Sequence, residues 1–155
     1  MVNPGRTIPV ASTRVHHISD EMVADAPDIK TAGRRFHDFC KGSVLVAHNA
    51  PFDLAFLRLK EQVMARRFDN PVLCTVLMSA WLFDHTGAHT LDALCDRFGI
   101  TIPPEARHTA MGDTLATAEV FVHMLDLLRA KGVTTLGGAI AEEGRMTRIR
   151  RAQNY

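Results

Sequence analysis

The stretch Ser43–Leu57, SVLVAHNAPFDLAFL, constrains the fold of this chain more than any other. It starts with the unbroken apolar run Val44-Leu45-Val46-Ala47, which has the length and β-branched content of a strand buried on both faces. His48-Asn49 leaves that strand. Pro51 can open a helix because the first helical position needs no backbone N–H, and Phe52, Ala55, Phe56 and Leu59 then repeat at helical spacing. A short strand feeding directly into a helix predicts an α/β fold, with Asp53 in the first helical turn at the C-terminal edge of the sheet. Open α/β sheets bind their ligands at that edge.

A first-turn carboxylate can serve only to offset the positive end of a helix dipole. The segment Arg107-His108-Thr109-Ala110-Met111-Gly112-Asp113 argues for more, because it places a second His and Asp at another loop-to-helix boundary. Thr109 to Ala130 reads as a long helix with Leu115, Ala118, Val122, Leu125 and Leu128 as its apolar face, so Asp113 also falls in a first turn.

These residues carry a family resemblance. His48-Asn49-Ala50-Pro51-Phe52-Asp53, followed by Leu54 to Leu57, resembles the second motif of the DEDDh (DnaQ-like) 3'–5' exonucleases, which include the proofreading epsilon subunit of bacterial DNA polymerase III. His108 to Asp113, followed by Ala116 and Ala118, resembles their third motif. Asn3 to Arg6, Ile8-Pro9, His16 and Asp20 to Val23 resemble the stretch between the first two motifs, so the likeness runs in order to about Gly138. The first motif, an Asp-x-Glu pair on the opening strand, has no counterpart. Asp20, Glu21, Asp25 and Asp28 lie among helix and turn signals instead.

The resemblance implies a ribonuclease H-like exonuclease fold, N-terminally truncated so that the opening strands of its sheet are missing. It also implies hydrolysis of phosphodiester bonds at single-stranded DNA or RNA 3' ends. Two Mg²⁺ or Mn²⁺ ions about 3.5–4 Å apart would activate water and offset transition-state charge, and such hard ions take carboxylate oxygens. Asp113 would ligate metal, Asp53 would support the metal site, and His108 would be the general base. His48 and Asn49 would lie near the nucleotide, Phe52 would pack there, and His16 would approach the substrate. His17 stands where the family usually has Gly. Asp53 and Asp113 alone are too few carboxylates to hold two ions firmly, so the chain is expected to be inactive by itself. Without its neighbour, the edge of the Val44–Ala47 strand should be unpaired and an apolar face exposed, favouring association.

Two other readings stand beside this one: a non-catalytic nucleotide- or partner-binding module on the same fold, and an unrelated α/β domain whose His/Asp pairs are accidental. The accidental reading expects Asp53 and Asp113 far apart.

The remaining signals fill in a single domain of about 1–142, followed by a basic polar tail at 143–155. Ser12 and Ser19 are candidate caps for short turns, and a helix with Ile29, Ala32, Gly33, Phe36 and Cys40 on one face ends at Gly42. Val72 to Val76 reads as a strand passing into a helix. Thr90 caps Leu91–Phe98, which Gly99 closes, and Thr134 to Glu142 can form a last helix. Arg145, Arg148, Arg150 and Arg151 mark the tail, read as solvated and frayed.

At 155 residues the chain suits one core, and a net charge of +1 excludes a general nucleic-acid coat without excluding a local grip on a few nucleotides. Cys40, Cys74 and Cys95 lack CxxC spacing and read as buried, reduced thiols in a cytoplasmic protein. No apolar run is long enough to span a membrane. A polymerase or an additional N-terminal domain is the expected protein partner.

Overall fold

The computed structural model describes residues 1–83 and 87–153, with side chains through Arg148. The entry segment is tied down at Asn3, whose N–H donates to Pro27 O at 2.9 Å and whose Nδ2 donates to Ala24 O at 3.0 Å. Two short helices follow, α1 (Val10–His16) and α2 (Asp20–Val23). Helix α1 starts after Pro9, ahead of the cap expected at Ser12, and ends on His17 in the left-handed region. Ser19 caps α2 as expected, its Oγ accepting from Met22 N–H at 3.4 Å.

Helix α3 (Ile29–Cys40) is capped by Asp28, whose Oδ1 accepts from Thr31 N–H at 2.8 Å. Strand β1 (Leu45–Ala47) leads into α4 (Ala50–Met64), and α3 and α4 lie together. Gly33 allows that close approach: a Cβ there would run into the side chain of Met64, which is fully buried. Strand β2 (Val72–Cys74) pairs parallel to β1, with Val46 opposite Leu73, and passes at once into α5 (Thr75–Leu82). Among the described residues these two strands are the whole sheet.

The main core forms on one face of the sheet. Leu73 and half-buried Val46 meet Met78, Leu94, Val120, Met124 and Leu128 there, contributed by α5, by α6 (Leu91–Phe98) and by α7 (Ala110–Ala130). Thr90 and Thr109 cap α6 and α7, accepting from Ala93 and Gly112 N–H. Cys40, Cys74 and Cys95 are buried free thiols, and burial raises the pKa of Cys40 and of Cys95.

Two apolar faces depart from expectation. On α7 the buried residues are Gly112, Ala116, Thr117, Val120, Met124 and Leu128, while Leu115, Ala118 and Val122 are exposed. On α4 the buried ends are Ala50 and Met64, whereas Phe52, Phe56 and Leu59 are exposed, Leu59 at 74%. Both helices carry more apolar surface than their neighbours cover.

The last helix also differs. Helix α8 (Leu136–Gln153) continues through the residues expected to fray after Glu142. Its hold on the sheet explains why: Glu143 is buried and its Oε1 accepts from Cys74 N–H at 2.8 Å, and Met146 is buried one turn further on. An Arg145–Glu142 ion pair at 3.0 Å supports the exposed side. The side chains of Arg150 and Arg151 lie outside the described residues. No helix among the described residues is long and apolar enough to cross a membrane.

Candidate active site

The chain turns sharply at the end of β1. Asn49 adopts φ +66°, a left-handed conformation that aims the backbone out of the strand and into α4 without a side-chain cap. This turn puts His48 at the strand's end and Asp53 in the first turn of α4. On the other side, the short 3₁₀ turn Pro104–Ala106 abuts the start of α7. Gly112 permits that contact, because a Cβ there would collide with Ala106 O. Asp113 follows immediately.

The two segments enclose a cavity of about 670 Å³, to which His48, Phe52 and Asp53 contribute from one side and Ala110, Asp113 and Thr117 from the other. The two first-turn aspartates, 60 positions apart in the chain, therefore share one cavity. An accidental pairing gives no reason for that convergence. His48 sits between their fields. Burial pushes its pKa below the ordinary imidazole value, and the charges of Asp113 and then Asp53 pull it partly back. Its Nδ1 lies 2.9 Å from Thr75 Oγ1 at the start of α5, where Thr75 is fully buried.

The other expected site residues are placed differently. Phe52 lines the cavity, is 61% exposed and meets Phe56 edge-on with ring centroids 5.0 Å apart. Asn49 is exposed beside His48. His108 is exposed, at φ +60°, just before the Thr109 cap, and His16 is half-buried with Nδ1 accepting from Ile18 N–H at 3.1 Å. Neither His108 nor His16 lines the cavity. Thr75 and Gly112 were not anticipated as shaping the site. A strand over Val72–Val76 passing into a helix was legible in the sequence, and the helix starts earlier, at Thr75, but no local signal says that the Thr75 hydroxyl meets His48.

Two carboxylates give part of a hard-cation donor set. Among the described residues no group of three His, Cys, Asp or Glu side chains is placed to hold a metal ion. The residues present therefore do not by themselves fit a two-ion centre.

The exonuclease family RNase_T matches residues 1–121. The chain belongs to this family. Within RNase_T it is DnaQ-like: it is 58% identical over 154 residues to a DNA polymerase III subunit epsilon-like protein of Rhodobacter capsulatus, covering 99% of this chain and 22% of that protein. It is 32% identical over 126 residues to the DNA polymerase III subunit epsilon of Pasteurella multocida, covering 79% of this chain and 50% of that one. The chain thus spans half or less of the length of these two relatives. Exonuclease X, solved in complex with 5' overhanging duplex DNA, superposes with a TM-score of 0.67 at 25% identity over 92% of this chain and 78% of its own. The fold is accordingly the ribonuclease H-like α/β exonuclease fold.

Proposed function

We propose that this RNase_T domain is a DEDDh-type 3'–5' exonuclease module that hydrolyses phosphodiester bonds at single-stranded DNA or RNA 3' ends. The observation that carries the reading is the convergence on one cavity of His48 and Asp53, from the β1–α4 junction, with Asp113, from the start of α7. The relatives' names, and the DNA in the complex of Exonuclease X, support nucleic acid as the ligand and a replicative polymerase as a partner.

In this reading Phe52 offers an exposed apolar ring to the terminal nucleotide, and His48, held by Thr75, borders the phosphate. Asp53 and Asp113 would be two of the carboxylates that Mg²⁺ or Mn²⁺ would require, and a two-ion mechanism would need further acidic ligands beside them. His108 serves as the base that takes the proton of the attacking water. It stands exposed, at φ +60°, directly before the Thr109 cap of the helix that carries Asp113. The chain alone should therefore be close to inactive. A cytoplasmic location suits this role and the free thiols.

The test is hydrolysis of a 5'-labelled single-stranded oligonucleotide in Mn²⁺, comparing this chain with a form extended upstream along its reading frame. The reading expects 3'-end shortening by the extended form, abolished by Asp113→Ala. Absence of cleavage by both forms would favour a binding module that keeps the fold.

A further inference from the structure

Among the described residues Glu143 is the only buried carboxylate. It lies at the outer edge of β2, and the ladder explains what it meets there. Leu45 N–H donates to Pro71 O at 2.9 Å and Leu45 stands opposite Val72, so Leu73 turns its backbone groups toward β1 and Cys74 turns its N–H away from it. That N–H finds Glu143 Oε1 at 2.8 Å. Cys74 and Glu143 are both buried, so water does not compete for the bond. A buried amide donor must be paired, and the pair fixes the peptide plane it belongs to.

The peptide held in this way begins α5. Cys74 precedes that helix at φ −117° and ψ 111°, and no side chain caps the helix. Its start is therefore held from α8, which packs against both α5 and β2. Thr75, the first residue of α5, is fully buried and places Oγ1 2.9 Å from His48 Nδ1. Ala47 stands opposite Cys74 in the sheet, so His48 and Thr75 leave the two strands side by side. A single residue step thus separates the amide bound by Glu143 from the hydroxyl that meets His48. No residue of α8 lines the cavity shared by His48, Asp53 and Asp113, so α8 can act on that site only through this junction.

We infer that Glu143 is a positioning residue for His48: by holding the Cys74 N–H it sets the start of α5, and with it the Thr75 hydroxyl against the His48 ring. This role takes its chemical meaning from the proposed exonuclease site, whereas the placement of the ring is measurable without any cleavage. If Glu143 serves only to dock α8, His48 responds to the loosening of α8 in general and not to the loss of this one acceptor.

The test follows the ¹⁵N resonance of His48 Nδ1 by NMR in the whole chain, with the ring neutral. Thr75→Val leaves Nδ1 without its partner and sets the size of a full displacement. Glu143→Met fills a similar space with no oxygen. It is expected to move the resonance in the same direction as Thr75→Val and to speed hydrogen exchange at the Cys74 amide. Glu143→Gln removes the charge but keeps an acceptor, so it should leave the resonance near its native position. Met146→Ala loosens α8 at a buried residue that takes no part in the hydrogen bond, and should lower Tm without moving the resonance. Should Glu143→Met fail to fold, Glu143→Asp, one methylene shorter, is read in its place for a smaller displacement of the same sign. An unchanged resonance in the folded variant, or an equal displacement in Met146→Ala, would overturn the inference. In an active longer form, Glu143→Met should lower kcat/KM roughly tenfold and Glu143→Gln should restore most of it. Absence of cleavage by the native longer form would count against the exonuclease reading alone, because the His48 comparison decides the positioning in this chain.

Discussion

Thr75 Oγ1 lies 2.9 Å from His48 Nδ1, linking the first residue after β1 to the first residue of α5. Thr75 is fully buried, so this hydroxyl has no water to turn to. Thr75→Val keeps the shape and removes the partner. It should cost about 1–2 kcal/mol in denaturant unfolding, whereas Thr75→Ser should recover most of that. In an active longer form, Thr75→Val should also lower turnover while Thr75→Ser retains it.

The influence of both aspartates on His48 has its own signature. Asp113 is the larger and Asp53 the smaller of the two influences that raise its pKa against the effect of burial. Asp113→Asn should therefore lower the His48 pKa further, and Asp53→Asn should lower it by less. A pH titration of the His48 ring by NMR reads both. No change in either variant would place the carboxylates too far away to share a site.

Glu143 makes stability fall as pH rises. Burial raises its pKa from 4.5 to about 7, against the lowering effect of the hydrogen bond from Cys74 N–H. The folded state thus holds the proton more tightly than the unfolded chain. This stabilisation is full below pH 4.5 and is lost by about pH 7, a change of about 3 kcal/mol. Glu143→Gln retains an oxygen acceptor for Cys74. It should stabilise the protein by about 2–3 kcal/mol at pH 8 and have little effect at pH 4. His48, whose folded pKa is depressed, acts in the opposite sense: its contribution is present above its ordinary value of 6.5 and is lost as pH falls through the lowered one.

Gly112 holds Asp113 at the cavity by letting α7 begin against Ala106 O. Gly112→Ala forces the backbone of one segment to shift, at a cost of about 1–3 kcal/mol by analogy with overpacked cores. The Asp113 influence on His48 should weaken in parallel, so a destabilised variant with an unchanged His48 titration would separate the packing role from the positioning role.

Local signals made much of this architecture legible. Strand β1 lies inside the expected Val44–Ala47 run, the caps expected at Ser19 and Thr90 are formed, and Gly99 closes α6 in the left-handed region, because each depends on neighbours a few residues away. The pairing of Asp53 with Asp113 was legible through the two similar motifs. What sequence could not supply was the partner of each apolar face. Leu115 and Val122 on α7, like Phe56 and Leu59 on α4, have helical spacing whether or not anything covers them. Likewise α8 extends past Glu142 because Glu143 reaches a strand 69 positions away, and the hydroxyl of Thr75 meets His48 across 27 positions. Such contacts leave no local trace.

The most direct measurement of the central claim is an isotope-edited NMR titration of this chain with thymidine 5'-monophosphate, the kind of product a 3'–5' exonuclease releases. Saturable shifts at His48, Phe52, Asp53 and Asp113, reduced in Phe52→Ala and absent from α8, are expected if the cavity between α4 and α7 receives the terminal nucleotide. Shifts confined to the arginines of α8, or none at millimolar nucleotide, would contradict it.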